Sequence, residues 1–284
     1  MRKTMREVEA AKISRAVSEL CIQANYRLPP DVVSALKKSL DKEDSPLGRD
    51  IIEELLENAR LAQESNVPIC QDTGMAVIFL EIGQGLKVVG GDLEGAVNEG
   101  VRRGYEEGYL RKSVVADPLR RKNTGDNTPA IIHSRIVRGD GLKVDLLCKG
   151  FGCENMSRAG VLNPGEGKAG IVDFVVRTVL AAGANPCPPI VLGVGLGGTV
   201  AYAAFLAAQA LLRPVGQRDN RGYIALLERE LLDKINNLGI GPQGLGGRVT
   251  ALGVNVEVFP THIAGLPVAV NINCHALRRA HRVL

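Results

Sequence analysis

Six cysteines carry most of the chemistry that residue type and spacing can offer in this chain. Cys70 lies in Pro68-Ile69-Cys70-Gln71-Asp72-Thr73-Gly74, a polar turn between a helical and a strand-like segment. Cys187 lies in Asn185-Pro186-Cys187-Pro188-Pro189, where three prolines keep the thiol out of any helix or ladder. Cys274 follows an apolar strand, in Asn271-Ile272-Asn273-Cys274-His275. All three sit at element ends, where scaffolds place site residues, and thiols so placed can share a metal. Their separations of 117 and 87 residues exclude zinc-finger and ferredoxin patterns, which use close pairs. Cys21 falls on the apolar face of a helix and Cys148 ends an apolar strand, so both read as small buried hydrophobes. Cys153, inside a glycine turn, is open to either role.

A second motif invites a different chemistry. Gly193-Val194-Gly195-Leu196-Gly197-Gly198 fits the dinucleotide fingerprint G-x-G-x-x-G, and Asp219 follows it by 21 residues. The stretch before Asp219 is rich in proline and charge, whereas the ribose-binding acid of that fold ends a second apolar strand. No lysine follows the glycines, which excludes a P-loop. The favoured reading is therefore structural, with glycines admitting close backbone approach and a helix N-terminus beyond them.

The elements that must position these residues follow from periodicity. Arg2 to about Ala24 and Pro30 to Glu64 show helical spacing, with Asp44 and Ser45 ahead of Pro46 as a start signal. A strand is expected over Met75–Ile82 and a helix over Leu93–Tyr109. Strands over Ala130–Val137 and Leu142–Cys148 are joined by the turn Gly139-Asp140-Gly141. Helices near Gly170–Ala182, Thr199–Leu212 and Tyr223–Leu238 alternate with strands near Ile190–Val194, Val249–Val258 and Pro267–Ile272. The expected fold is α/β, a mixed sheet with surrounding helices and a helical N-terminal lobe. The lobe spans 1–66 and the mixed domain 67–284, and the two can form one compact body.

Composition narrows the function classes. The 284 residues are 45% hydrophobic and 23% charged, ordinary values for a globular enzyme. Aromatics are 4% and tryptophan is absent, which argues against base-stacking platforms. The formal net charge of +4 is too mild to indicate a nucleic-acid partner. The 33 glycines cluster in short runs between apolar segments, as site-forming turns do. The charged first residues do not form a signal peptide, and the longest uncharged stretches, such as Ala184 to Leu212, are broken by proline and glycine and do not read as the continuous apolar span of a membrane helix. A cytoplasmic location is expected, with the cysteines as thiols or metal ligands.

Six motifs in order resemble the α subunit of the two-subunit class I fumarate hydratases, a family that includes the iron–sulfur L-tartrate dehydratases. They are Ile69-Cys70-Gln71-Asp72-Thr73-Gly74, Asn123-Thr124-Gly125-Asp126-Asn127-Thr128-Pro129-Ala130 and Lys149-Gly150-Phe151-Gly152-Cys153-Glu154-Asn155-Met156. Cys187-Pro188-Pro189 with its glycines, Gly239-Ile240-Gly241-Pro242-Gln243-Gly244-Leu245-Gly246-Gly247, and finally His262 with Asn273-Cys274-His275 complete the set.

The resemblance implies a [4Fe-4S] cluster held by Cys70, Cys187 and Cys274, with one iron open to substrate and sensitive to air. It implies Asp72 as the acid and His262 as an active-site histidine, although a turn histidine satisfied by backbone is the bland alternative. Gln71 and Arg111 match positions that hold the substrate carboxylates, a task suited to the bidentate guanidinium. Gly150 and Gly152 would present N–H groups to a substrate oxygen, or form only a turn. Lys149, Asn127 and Asn155 are neighbours without an assigned role. The family's single-chain relatives carry a further C-terminal domain, so a separate β subunit and a dimer of αβ units are implied. Reversible hydration of fumarate to (S)-malate is the expected reaction, because Gly152-Cys153-Glu154-Asn155-Met156 is closer to the fumarate-type loop. Tartrate dehydration to oxaloacetate is the alternative within the family. An iron–sulfur redox sensor and an NAD-binding oxidoreductase are the alternatives outside it.

Overall fold

A computed structural model describes residues 5–284. The chain runs from strand β1 (Arg6–Glu9) into three helices, α1 (Ala10–Tyr26), α2 (Pro30–Leu40) and α3 (Pro46–Ser65). Strands β2 (Met75–Gly83) and β3 (Leu86–Val89) precede α4 (Leu93–Glu107), β4 (Ile131–Val137), β5 (Leu142–Lys149) and the single turn α5 (Phe151–Glu154). Then come β6 (Arg158–Leu162), α6 (Gly167–Ala182), β7 (Ile190–Gly198), α7 (Val200–Ala210) and α8 (Gly222–Asn236). β8 (Ala251–Thr261), β9 (Leu266–Asn273) and β10 (Arg279–Val283) follow. The fold is mixed α/β, with helices at the N-terminal end of the sequence, as its periodicity predicts.

Two details of that expectation change. The first helix begins at Ala10, and the Arg2–Met5 stretch assigned to it lies almost wholly outside the described residues. Arg6–Glu9 instead pairs in parallel with β3, because this alternating segment can bury Val8 while Glu7 meets Lys87 at 3.0 Å. The strands either side of Gly139-Asp140-Gly141 are not sheet neighbours, since β2 lies between β4 and β5. The short strands β3, β6 and β10 carry too few residues for alternation to stand out.

Contacts divide the chain into two compact units. The first comprises residues up to Pro29, Ala59–Gly150 and Arg278–Leu284; the second comprises Pro30–Asn58 and Phe151–Leu277. This division differs from a cut at residue 66, because α1 and the end of α3 cluster with the first unit, and α2 and the first part of α3 with the second. In the first unit Ile13, Val17, Leu20 and Cys21 of α1 share a core with α4 and with one face of the sheet β10-β5-β2-β4. The two helices cross closely at glycines of α4: a Cβ on Gly100 would lie 2.6 Å from the Ser14 carbonyl oxygen.

The second unit is built on the sheet β6-β9-β7-β8. One face packs Leu192, Val194, Val256 and Val270 against Val175 of α6 and Leu231 of α8. The other face takes α7 at very short range. A Cβ on Gly193 or Gly195 would lie 2.0 Å from the carbonyl oxygens of Ala207 and Ala203 respectively. The G-x-G-x-x-G run is therefore part of β7, not a phosphate-binding turn after it, and its first two glycines make room for a helix backbone. This agrees with the structural reading that the sequence favours over dinucleotide binding. Buried Glu43 accepts from the N–H groups of Ser45 at 2.9 Å and Val249 at 2.7 Å, fixing the chain that enters β8. Among the described residues, no helix is long and apolar enough to cross a membrane.

Candidate active site

The first unit gathers the Asp72 turn, the segment after α4 and the end of β5. Asp72 Oδ1 accepts from Gly74 N–H at 3.0 Å, a side-chain turn that fixes the carboxylate's direction. Gly74 has φ +78°, and a Cβ there would meet the Lys149 carbonyl at 2.7 Å, so this turn needs glycine to reach β5. Buried Tyr105 of α4 places its hydroxyl between the carbonyl oxygens of Thr73 at 3.0 Å and Gly74 at 2.9 Å. Burial pushes that phenol's pKa well up, so it stays a donor.

Two further ties bring in the segment after α4. Thr73 Oγ1 accepts from Arg111 N–H at 2.9 Å and donates to the Arg111 carbonyl at 3.2 Å. Buried Asn127, at φ +63°, accepts from Ser113 N–H at 2.7 Å and donates to the Gly74 carbonyl at 3.2 Å. Asn127 is thus a scaffold residue here. The Arg111 side chain itself is exposed, as is Gln71, whose Oε1 accepts from the Cys70 thiol at 3.4 Å. Gly150 lies beside Asp72: a Cβ on it would be 3.2 Å from Asp72 Oδ2.

The second unit brings Cys187 and Cys274 to one end of its sheet. β9 runs antiparallel to β7 with Asn273 opposite Val191, so the entry to β7 and the exit of β9 coincide. Cys153 joins the two segments, its buried thiol donating to the Pro186 carbonyl at 3.6 Å and accepting from Cys274 N–H at 3.2 Å. His275 Nδ1 lies 3.3 Å from the Cys187 carbonyl oxygen. Cys187 adopts φ +53°, uncommon for a residue with a side chain. Its thiol is exposed and Cys274 is half-buried, like Cys70; Cys21, Cys148 and Cys153 are buried. Burial pushes the Cys21 and Cys148 thiols up in pKa, which keeps them protonated and poor ligands. Gly152, in α5, is exposed, and a Cβ there would meet only Asn185 O, at 3.7 Å.

His262 is not with them. It follows β8, whose Thr261 pairs with Gly198 at the far end of β7. The eight residues of β9 separate it from Cys274, about 26 Å at the usual strand rise. It is exposed and its Nδ1 accepts from Ala264 N–H at 3.2 Å, the bland turn role. Among the described residues, no three His, Cys, Asp or Glu side chains form a group that could hold a metal ion. Sequence reasoning missed Tyr105 and Arg278, whose contacts hold the Asp72 turn. Tyr105 reads as one more apolar-face residue, and Arg278-Arg279 as surface charge, so neither carried a signal.

Residues 14–283 match the family described as fumarate hydratase (fumerase). A protein of Methanocaldococcus jannaschii, provisionally named L(+)-tartrate dehydratase subunit alpha, is 43% identical over 281 residues, covering 95% of this chain and 96% of its own. The Escherichia coli K12 protein named L(+)-tartrate dehydratase subunit alpha is 35% identical over 271 residues, 94% of this chain and 89% of its own. A match over nearly the whole chain, with the cysteine and aspartate turns inside it, shows that the protein belongs to the fumarate hydratase family of hydro-lyases.

Proposed function

We propose that the chain is the α subunit of an iron–sulfur hydro-lyase that adds water reversibly to a four-carbon dicarboxylate, with fumarate and (S)-malate as its pair. The observation that carries this reading is the joining of the Cys187 and Cys274 segments through Cys153, in a chain of this family. The donor chemistry fits a cluster: Cys70, Cys187 and Cys274 reach the surface, in contrast to the other three thiols. These three would hold a [4Fe-4S] cluster, which when bound supplies an open iron as Lewis acid toward the substrate hydroxyl.

The remaining steps belong to side chains. Asp72, fixed by Gly74 N–H and two residues from Cys70, exchanges the proton of the departing or entering water at a carboxylate oxygen. Arg111 and Gln71 hold the substrate carboxylates, and the N–H groups of Gly150 and Gly152 bind a substrate oxygen. A β subunit supplies the opposing base and the rest of the carboxylate clamp, in a dimer of αβ units. His262, at the other end of its sheet from Cys187 and Cys274, takes part only in the site of a second copy. Exposed and half-buried thiols suit a reducing compartment, which supports a cytoplasmic location.

The names of the relatives favour a second reading, L-tartrate as substrate. Anaerobic co-production with the β subunit, reconstitution with iron and sulfide, and assays on both substrates decide between them. Faster turnover of fumarate is expected; faster turnover of tartrate installs the second reading. Inactivity on both, with a full cluster, removes the hydro-lyase assignment and favours a redox sensor. The α chain alone should hydrate fumarate negligibly.

A further inference from the structure

Arg278 is one of the few buried charged residues of the chain, 2% exposed in the first unit. Its Nη1 donates to the backbone carbonyl of Asp72 and lies 3.5 Å from Asn25 Oδ1. Its own carbonyl accepts from Cys148 N–H at 2.9 Å, which fixes it against β5. The Asn25 amide is held in turn, donating to the Cys21 carbonyl at 3.0 Å and to the Cys148 sulfur at 3.4 Å. The Asn25 backbone carbonyl accepts from Ile69 N–H at 2.9 Å, just before Cys70. At Gly150 the absent Cβ marks a point 2.9 Å from Arg278 Nη2 and 3.2 Å from Asp72 Oδ2. The guanidinium and the Asp72 carboxylate therefore crowd the same space, which only a glycine leaves open.

Burial and the bond from Nη1 to the Asp72 carbonyl hold this guanidinium in place, so it is a fixed strut rather than an adaptable surface arm. We propose that Arg278 is the positioning residue for Asp72: it holds the Asp72 carbonyl from below while the carboxylate is aimed by Gly74 N–H. The proposal deepens the hydro-lyase reading and rests on it for Asp72 as the acid. Its consequence for rate follows from geometry, since a misaimed acid lowers turnover more than it lowers substrate binding.

The test uses the reconstituted αβ enzyme with Arg278→Lys, Asp72→Asn and the double variant. Arg278→Lys should keep its iron content and lower kcat about 10- to 100-fold, with KM changed less than about threefold. In the Asp72→Asn background the same change should cost nothing further, because both act through one group. Losses that multiply, or an Arg278→Lys enzyme with wild-type kcat, would overturn the assignment. A second readout needs no activity. Hydrogen exchange at Gly74 N–H in the full chain should quicken in Arg278→Lys, and unchanged exchange counts against the strut. If Arg278→Lys does not fold, Gly150→Ala, which displaces the guanidinium without removing it, takes its place in the exchange measurement. A wild-type enzyme inactive on both dicarboxylates would defeat the hydro-lyase reading, and exchange at Gly74 would still judge the strut.

Discussion

At the scale of single residues, the proposed function divides the work between Asp72 and three of the thiols. The Asp72 carboxylate has one oxygen committed to Gly74 N–H, so replacing it with asparagine preserves that acceptor and removes the exchangeable proton. Asp72→Asn should keep cluster and dicarboxylate binding yet lose turnover by about 10²–10⁴, read from steady-state kinetics against iron content. Activity equal to wild type would take Asp72 out of the mechanism. Among the cysteines, Ala at Cys70, Cys187 or Cys274 should abolish cluster incorporation, whereas Ala at buried Cys21 or Cys148 should retain it. Cys153→Ala separates ligand from scaffold. It removes two hydrogen bonds to sulfur, and the expected result is full iron content with stability lowered by roughly 1 kcal/mol. A cluster lost in Cys153→Ala, or kept in Cys187→Ala, would reverse the roles.

At the scale of elements, glycine placement decides how closely helices approach sheets. Gly195→Ala would drive a methyl to 2.0 Å from the Ala203 carbonyl oxygen, and α7 cannot yield without leaving β7. A loss on the order of 3 kcal/mol is expected in urea unfolding, at the upper end of ordinary overpacking. Gly141→Ala, with nothing within 4 Å of its added carbon, is the control and should be nearly neutral. The segment between α7 and α8 depends on charge instead. Arg221 donates to both oxygens of Asp219, at 2.8 and 2.6 Å, and holds that carboxyl down at about 2, against 3.8 ordinarily. The pKa is lowered on folding, so the stabilisation is full above about pH 4 and is lost as pH falls through about 2. It amounts to roughly 2 kcal/mol. Unfolding curves of Asp219→Asn should lie well below wild type at pH 7 and converge with it near pH 2. A gap that stays constant would refute the linkage.

At the scale of the whole molecule, the position of His262 makes a prediction that single chains cannot satisfy. If substrate binds beside Cys274 as proposed, a histidine about 26 Å along the sheet cannot serve it within its own chain. His262→Ala should therefore be inactive as a pure αβ enzyme, and so should Cys187→Ala. Enzyme assembled from an equal mixture of the two α variants should recover up to about a quarter of wild-type activity, because a mixed dimer holds one intact site and random pairing makes half of the dimers mixed. No recovery in mixtures shown to contain mixed dimers would return His262 to the ordinary turn histidine that its bond from Ala264 N–H describes.

The sequence by itself determined the chemistry-bearing turns and nearly every helix, because both are written in local pattern. The proline and glycine around Cys70 and Cys187 fix turns wherever they occur, and the helical spacing of α1 to α4 survives any tertiary arrangement. Family membership was legible for the same reason, since six short motifs in order need no knowledge of what they pack against. Only the tertiary structure decided what depends on strand order and register. It inserted β2 between β4 and β5, drew Gly193 and Gly195 into a strand pressed on α7, and sent His262 to the opposite end of the sheet from Cys274. It also showed Arg278 beneath Asp72, although 206 residues separate them in sequence. Periodicity records which face of an element is apolar; it holds no record of which element that face will meet, and contacts of that kind assemble this site.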